Sequence, residues 1–453
     1  MALEPLRNIF SVPELRKRIG WTLLLLFIYR LGVFIPLPGI DRAYFQIMME
    51  RAQGTAQGKV LGFASALSGG AMETFSVFYM GIMPYISASI IFQILTKVVP
   101  ALERLSKEGQ TGRNVLTKWT RYSTVVVALI QGVMHASFLI KLSQGPESRS
   151  FIHETATLFI TKTVLSMTAG TLFLMWLGEQ ITEYGVGNGV SLIIMAGIVA
   201  RAPRVIAGVG KNLGAGSYGW GTVITLLVLY VLMVAGIVFV TQAQRRIPMQ
   251  SARQIRGRLA VGGQKTYFPL KLNAAGVIPV IFASALLAFP AGLIQWLFKM
   301  NNWEDSWIYR EVPPILTSEK GFVFLVLYSG LIFLFTYFYT AMVFNPADMA
   351  DNLKQMGAFI PGIRPGRNTA EYIEKLMNRV TFAGAAFLAF IAIVPTVVHS
   401  QLNVDQYVAN FLGGTGLLIV VGVGLDLVQK IESHLLLRQY KGFLGGTSGI
   451  RGR

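Results

Sequence analysis

Apolar residues in this chain neither alternate nor keep to one helical face; they run on for about twenty positions at a time. A segment needs about 20 mainly apolar residues to cross a hydrocarbon core roughly 30 Å thick, because backbone groups left unpaired in lipid are too costly. Ten such runs are predicted as spans, near residues 20–36, 75–97, 119–140, 156–177, 188–207, 220–241, 275–298, 320–343, 379–399 and 411–430. The first follows Arg16, Lys17 and Arg18, as a secretory signal would. Pro36 and Pro38 end it where small residues would mark a cleavage site, so it is read as a permanent span. The fold class predicted is an all-α polytopic membrane protein with ten transmembrane helices.

Composition supports this reading. The chain is 53% hydrophobic and 14% charged, against the roughly 25% charged of a soluble domain. The absence of cysteine rules out a disulfide scaffold, a thiolate zinc site and a thiol nucleophile, and four histidines leave little for a metal cluster. A net charge of +18 in a soluble protein would point to nucleic acid, but here the basic residues lie in short stretches between apolar runs. They read as membrane-protein loops. Ten spans put both termini on one side, where the loops hold 26 Lys and Arg against 12 opposite. The positive-inside bias then places both termini in the cytoplasm.

Two spans carry the same pattern. Gly81 to Ser89 (GIMPYISAS) and Gly276 to Ser284 (GVIPVIFAS) both fit G-x-x-P-x-I-x-A-S. One is second in the first five spans and the other second in the last five, as expected of two inverted five-span repeats. Such repeats place the working site at their interface near mid-membrane, and matching Pro- or Gly-interrupted spans mark it. Pro84 and Pro279 are expected to bend both helices at matching depth. An ion-coupled transporter would carry buried charges there. This chain instead repeats isoleucine, serine and alanine, and Arg30, His135 and Asp426 are scattered structural groups. An aliphatic constriction holds back water by dewetting and suits a large, varied substrate. The stretch from Val60 to Met72 is apolar but too short to cross; spacing alone leaves open a re-entrant segment or an interfacial helix.

Gly32 to Asp41 (GVFIPLPGID), Ser68-Gly69-Gly70 and Gly81 to Gln93 (GIMPYISASIIFQ) resemble the SecY/Sec61-alpha family of protein-conducting channels. So do Met175 to Gly189 (MWLGEQITEYGVGNG), Gly276 to Ser284, Phe344-Asn345-Pro346, Ala350 to Lys354, Gly357 to Gly366 (GAFIPGIRPG) and Gly413-Gly414-Thr415. The resemblance implies a clamshell pore of two halves, residues 1–210 and 211–435, with a cytoplasmic tail at 436–453. It implies a pore ring of Ile82, Ile86, Val190, Ile194, Ile281 and Ile419. Val190 stands where an isoleucine is common, which loosens the ring slightly. Residues 60–72 become the plug, including Leu61, Phe63, Ala64, Leu67, Ser68, Gly69 and Gly70, which favours the re-entrant reading. The lateral gate lies between the second and seventh spans, with Pro84, Ser87, Ser89 and Gln93 facing Pro279 and Ser284. The implied function is passage of unfolded secretory polypeptides across the bacterial cytoplasmic membrane, and sideways release of membrane segments into its bilayer. A small-solute transporter built on inverted repeats is the runner-up; a lipid scramblase or insertase would share the lateral opening, and an insertase would want a hydrophilic groove with a buried charge that the centre lacks.

The loop over residues 242–271 holds Arg245, Arg246, Arg253, Arg256, Arg258, Lys265 and Lys271 without an acid. Seven exceed what topology needs, and arginine suits phosphate as a bidentate donor. Over 345–379, two Pro-Gly pairs impose turns that leave Arg364 on a stiff tip. The resemblance implies that these loops dock the SecA motor ATPase or the ribosome, and that small SecE and SecG subunits, signal sequences and nascent polypeptides are further partners. No catalytic constellation, P-loop or cofactor motif appears, so no enzyme is read here. Gly185-x-Gly187-x-Gly189 reads as a tight turn between helices, with Asn188 as a cap.

Overall fold

The computed structural model describes residues 12–39, 68–143 and 155–251, then 254–256, 259–261, 265–273, 275–283 and 286–287, the isolated positions 294, 298, 404, 408 and 411, and 306–317, 321–402 and 414–445. In chain order the elements are α1 (Pro13–Gly32), α2 (Met83–Val98), α3 (Pro100–Lys107), α4 (Gln110–Ser143), α5 (Ala156–Tyr184), α6 (Gly189–Val199), α7 (Ala202–Gly214) and α8 (Trp220–Gln242). Strands β1 (Gln244–Ser251), β2 (Gln254–Arg256), β3 (Leu259–Val261) and β4 (Lys265–Lys271) follow. The chain continues as α9 (Trp307–Thr317), α10 (Phe322–Val343), α11 (Pro346–Gln355), β5 (Ala358–Phe359), α12 (Arg367–Leu402) and α13 (Gly414–Gly445).

Among the described residues, six helices are long and apolar enough to cross a membrane, or seven if α2 and α3, bent by 99° at their junction, count as one span. Their surfaces fit lipid rather than water: Ile224, Leu227, Leu232 and Phe239 of α8 are all exposed, as a helix apolar on every side must be when acyl chains surround it. The fragment at 278–283 marks the start of the seventh predicted span, whose remainder lies largely outside the described residues. The chain divides into two compact units, one of Met1–Lys211 with Ile419–Arg453 and the other of Asn212–Leu418.

Three local outcomes differ from the sequence reading. Residues 75–82 are turns rather than the first part of a span, and α2 begins only at Met83. Pro84 and Pro279 therefore do not bend helices; each sits in a first turn, where the missing N–H costs nothing. The basic loop folds as a hairpin, β1 pairing with β4 from Gln244↔Lys271 to Gln250↔Lys265. β5 joins the other edge of β1 through Gln250↔Phe359 and Ser251↔Ala358, so the two basic loops share one three-stranded sheet. Ile247 and Leu270 turn inward from that sheet onto Leu353, Ile360, Ile373 and Met377. In the tail, α13 continues to Gly445.

Candidate functional site

Residues 68–82 form an irregular block that is almost wholly buried: Ala71, Phe75, Ser76 and Tyr79 are each at most 1% exposed. Backbone without regular pairing is tolerated at membrane depth only when protein surrounds it. Here the partners are local. Leu37 N donates to Phe75 O (3.0 Å) and Val77 N to Ile35 O (3.0 Å), a short antiparallel bridge to the end of the first span. Thr74 Oγ1 donates to Val33 O (3.0 Å) and Thr171 Oγ1 to Gly81 O (3.3 Å).

Glycines on three helices make room for this block. A Cβ on Gly32 of α1 would collide with the Phe78 ring, and one on Gly170 of α5 with Val77 O. A Cβ on Gly197 of α6 would lie 2.7 Å from Gly69 Cα. Gly69 itself has φ +67° and backs onto the Tyr29 hydroxyl. Its carbonyl accepts from Arg30 Nη1 (3.0 Å), while Tyr29 Oη donates to Ser68 O (3.4 Å). Residues 68–72, the described part of the expected plug, are buried, and Ser68, Gly69 and Gly70 among them are fixed between α1 and α6. Leu61, Phe63, Ala64 and Leu67 lie outside the described residues. Tyr29, Gly32, Gly170 and Gly197 were missed by sequence reasoning, because a single glycine in an apolar run carries no sign of its partner.

The repeated motif acquires a geometry. Gly81 (φ +57°) and Gly276 (φ +64°) are both left-handed, and a helix follows each. Ile86 N donates to Ile82 O (3.1 Å), and at the matching place Ile281 N donates to Val277 O (3.4 Å). Ile86 and Ile281 therefore sit one turn into equivalent helices, each in its own unit. Ile82 caps α2 and is buried, while Ile86 one turn on is half-buried. Val190 and Ile194 are likewise one turn apart on α6, and Ile419 in α13 is 1% exposed.

Of the expected gate residues, Pro84 and Pro279 are buried at helix starts and Ser87 is half-buried. Gln93 Nε2 donates to Ser89 Oγ (3.1 Å) one turn back on α2. Ser284 lies outside the described residues. The Gly185 to Gly189 turn joins α5 to α6 as expected: Gly187 has φ +93°, and Asn188 Oδ1 accepts from Ser191 N (3.2 Å). Val186 N donates to Thr22 Oγ1 (3.0 Å), tying that turn to α1.

On the hairpin, Arg245 and Arg246 are exposed on β1. Arg256 belongs to β2 and Lys265 to β4, while Arg253 and Arg258 lie outside the described residues. Arg364 is exposed on a turn braced by Ile363 N donating to Ile360 O (3.1 Å) and Thr369 Oγ1 donating to Arg364 O (2.9 Å). Gly362 (φ +84°) and Gly366 (φ +100°) supply the turn's left-handed positions.

Residues 76–428 match the family described as SecY. The chain belongs to the SecY family. It is similar to the protein translocase subunit SecY of Streptomyces scabiei, 43% identical over 96% of this chain and 98% of that one. The SecY of Thermotoga maritima is 40% identical over 99% of each, and that of Thermus thermophilus 42% identical over 100% and 99%. Among solved structures, a protein conducting channel aligns with a TM-score of 0.64 at 18% identity, over 96% of this chain and 95% of the other. Sec61 in the canine ribosome-channel complex from the endoplasmic reticulum aligns at 0.61 and 16% identity, with the same coverage. The helical membrane fold is thus that of the SecY and Sec61 channels.

Proposed function

We propose that this chain is the pore-forming subunit of a protein translocase, passing unfolded secretory polypeptides across a bacterial cytoplasmic membrane and releasing membrane segments sideways. The observation that carries this reading is the pair of glycine-started helices. Ile86 and Ile281 each lie one turn into a helix that follows a left-handed glycine, which supports the repeat, in a chain 40% to 44% identical to translocase subunits along nearly its whole length. Spans one to five (1–210) and six to ten (211–435) then act as inverted halves. Ile82, Ile86, Val190, Ile194, Ile281 and Ile419 form the constriction; the segment over residues 60–72 seals it; Pro84, Ser87, Ser89, Gln93, Pro279 and Ser284 belong to the side exit. An aliphatic constriction offers a small solute nothing to bind, which disfavours the transporter.

Both termini and the basic loops face the cytoplasm in this reading. The shared sheet presents Arg245, Arg246 and Arg364 from one platform to the SecA motor or the ribosome, with SecE and SecG as small membrane partners. Since the chain is not an enzyme in this account, energy comes from such a partner or from the membrane potential. The test is protease protection of a secretory precursor in vesicles holding the chain, its small subunits and the motor. Arg364→Glu is expected to lower the motor-driven rate about tenfold, as loss of one interface charge contact does. A wild-type rate would remove Arg364 from docking, and solute uptake without precursor entry would favour the transporter.

A further inference from the structure

The buried block between Gly70 and Gly81 carries a single acid, Glu73. Its two carboxylate oxygens accept from separate guanidinium groups: Oε1 from Arg201 Nη2, and Oε2 from Arg204 Nη1 at 3.0 Å. Glu73 is 23% exposed and the Arg201 side chain only 8%. Arg201 lies just beyond α6, and Arg204 lies in α7. These two arginines therefore join the block to the stretch that leaves the fifth span for the sixth. Glycines of positive φ bound the block at both ends, Gly69 and Gly70 before it and Gly81 after it, which is where backbone rotation is least restricted.

We propose that Glu73, Arg201 and Arg204 form a resting-state clasp that ties the root of the sealing segment to the connection between the two halves. The proposal rests on the channel reading above and adds a regulatory part to it. Parting a guanidinium this buried from its carboxylate costs far more than parting the same pair in water. The block and the end of α6 thus move together or stay still, and a transition that separates them must first break the pair. Arg201 is a positioning residue; it lies outside the isoleucine ring.

The experiment measures ion leak through the complete translocase in vesicles, with neither motor nor precursor added. Glu73→Gln is expected to raise that leak about tenfold, the shift for one charge-assisted hydrogen bond that differs between two states. It should also admit a precursor with a defective signal sequence, a gain that simple loss of structure does not produce. Arg204→Gln, which spares the buried contact, should raise the leak less. Wild-type leak from Glu73→Gln in vesicles that translocate would overturn the clasp. If Glu73→Gln does not assemble, wild-type leak from Arg201→Gln, which removes the same buried contact from the other side, would overturn it equally. A wild-type complex that moves no precursor would overturn the channel reading itself, a distinct outcome.

Discussion

Gly69→Ala is expected to destabilise the resting fold by about 2 to 4 kcal/mol, combining a left-handed backbone that alanine resists with overpacking. The added methyl would press on the Tyr29 hydroxyl and on Gly197 Cα at 2.7 Å, and the latter is backbone that cannot rotate away. The hydrogen bond from Arg30 to Gly69 O lies in the same contact, so a shift that relieves the clash loosens it. Thermal unfolding of the purified protein in detergent measures the effect, with Gly208→Ala as control. Gly208 lies in α7 with nothing within 4 Å of its would-be Cβ, so its midpoint should hold or rise slightly with helix propensity. Equal midpoints for the two variants would show that the block around Gly69 is not packed as described.

Ile86→Ser is expected to raise the resting ion leak by about tenfold or more. An isoleucine side chain carries about 2 kcal/mol of unfavourable hydration, and each 1.4 kcal/mol of barrier is a decade. The hydroxyl also gives water a partner where the aliphatic group gave none. Ile86 is half-buried one turn into α2, so the substitution leaves the helix start at Gly81 and Pro84 intact. Single-channel recording in planar bilayers checks it, and an unchanged leak would take Ile86 out of the constriction.

Much of this was visible in the sequence because the signals were local. Spans follow from runs of apolar residues, the helix start at Asn188 from its capping side chain, and the tip at Arg364 from two Pro-Gly turns. The G-x-x-P repeat is visible too, but proline in an apolar run predicts a bend, whereas here a left-handed glycine three residues earlier marks where a helix begins. Residues 75–82 show why hydropathy misleads: an apolar run says that a segment is buried, and lipid or neighbouring helices can bury it equally well. Phe75, Phe78 and Tyr79 pack inside protein, where turns find hydrogen-bond partners at Val33, Ile35 and Leu37. The β1–β4 hairpin does leave a trace, apolar Ile247 and Met249 alternating on β1 and Phe268 and Leu270 on β4, but the seven basic residues around them mask that period. Contacts made by Gly32, Gly170 and Gly197 join positions far apart in the chain, and no local pattern reports them.

A polypeptide that crosses the isoleucine ring must come within disulfide reach of it, and the absence of native cysteine makes that contact directly testable. Ile86→Cys is reconstituted with SecA and the small subunits, and a secretory precursor bearing one cysteine is stalled in transit. A disulfide between the two chains that requires ATP and a functional signal sequence is expected, and again with Ile281→Cys and Ile419→Cys. Transport that proceeds with no crosslink at any of the three positions would contradict it.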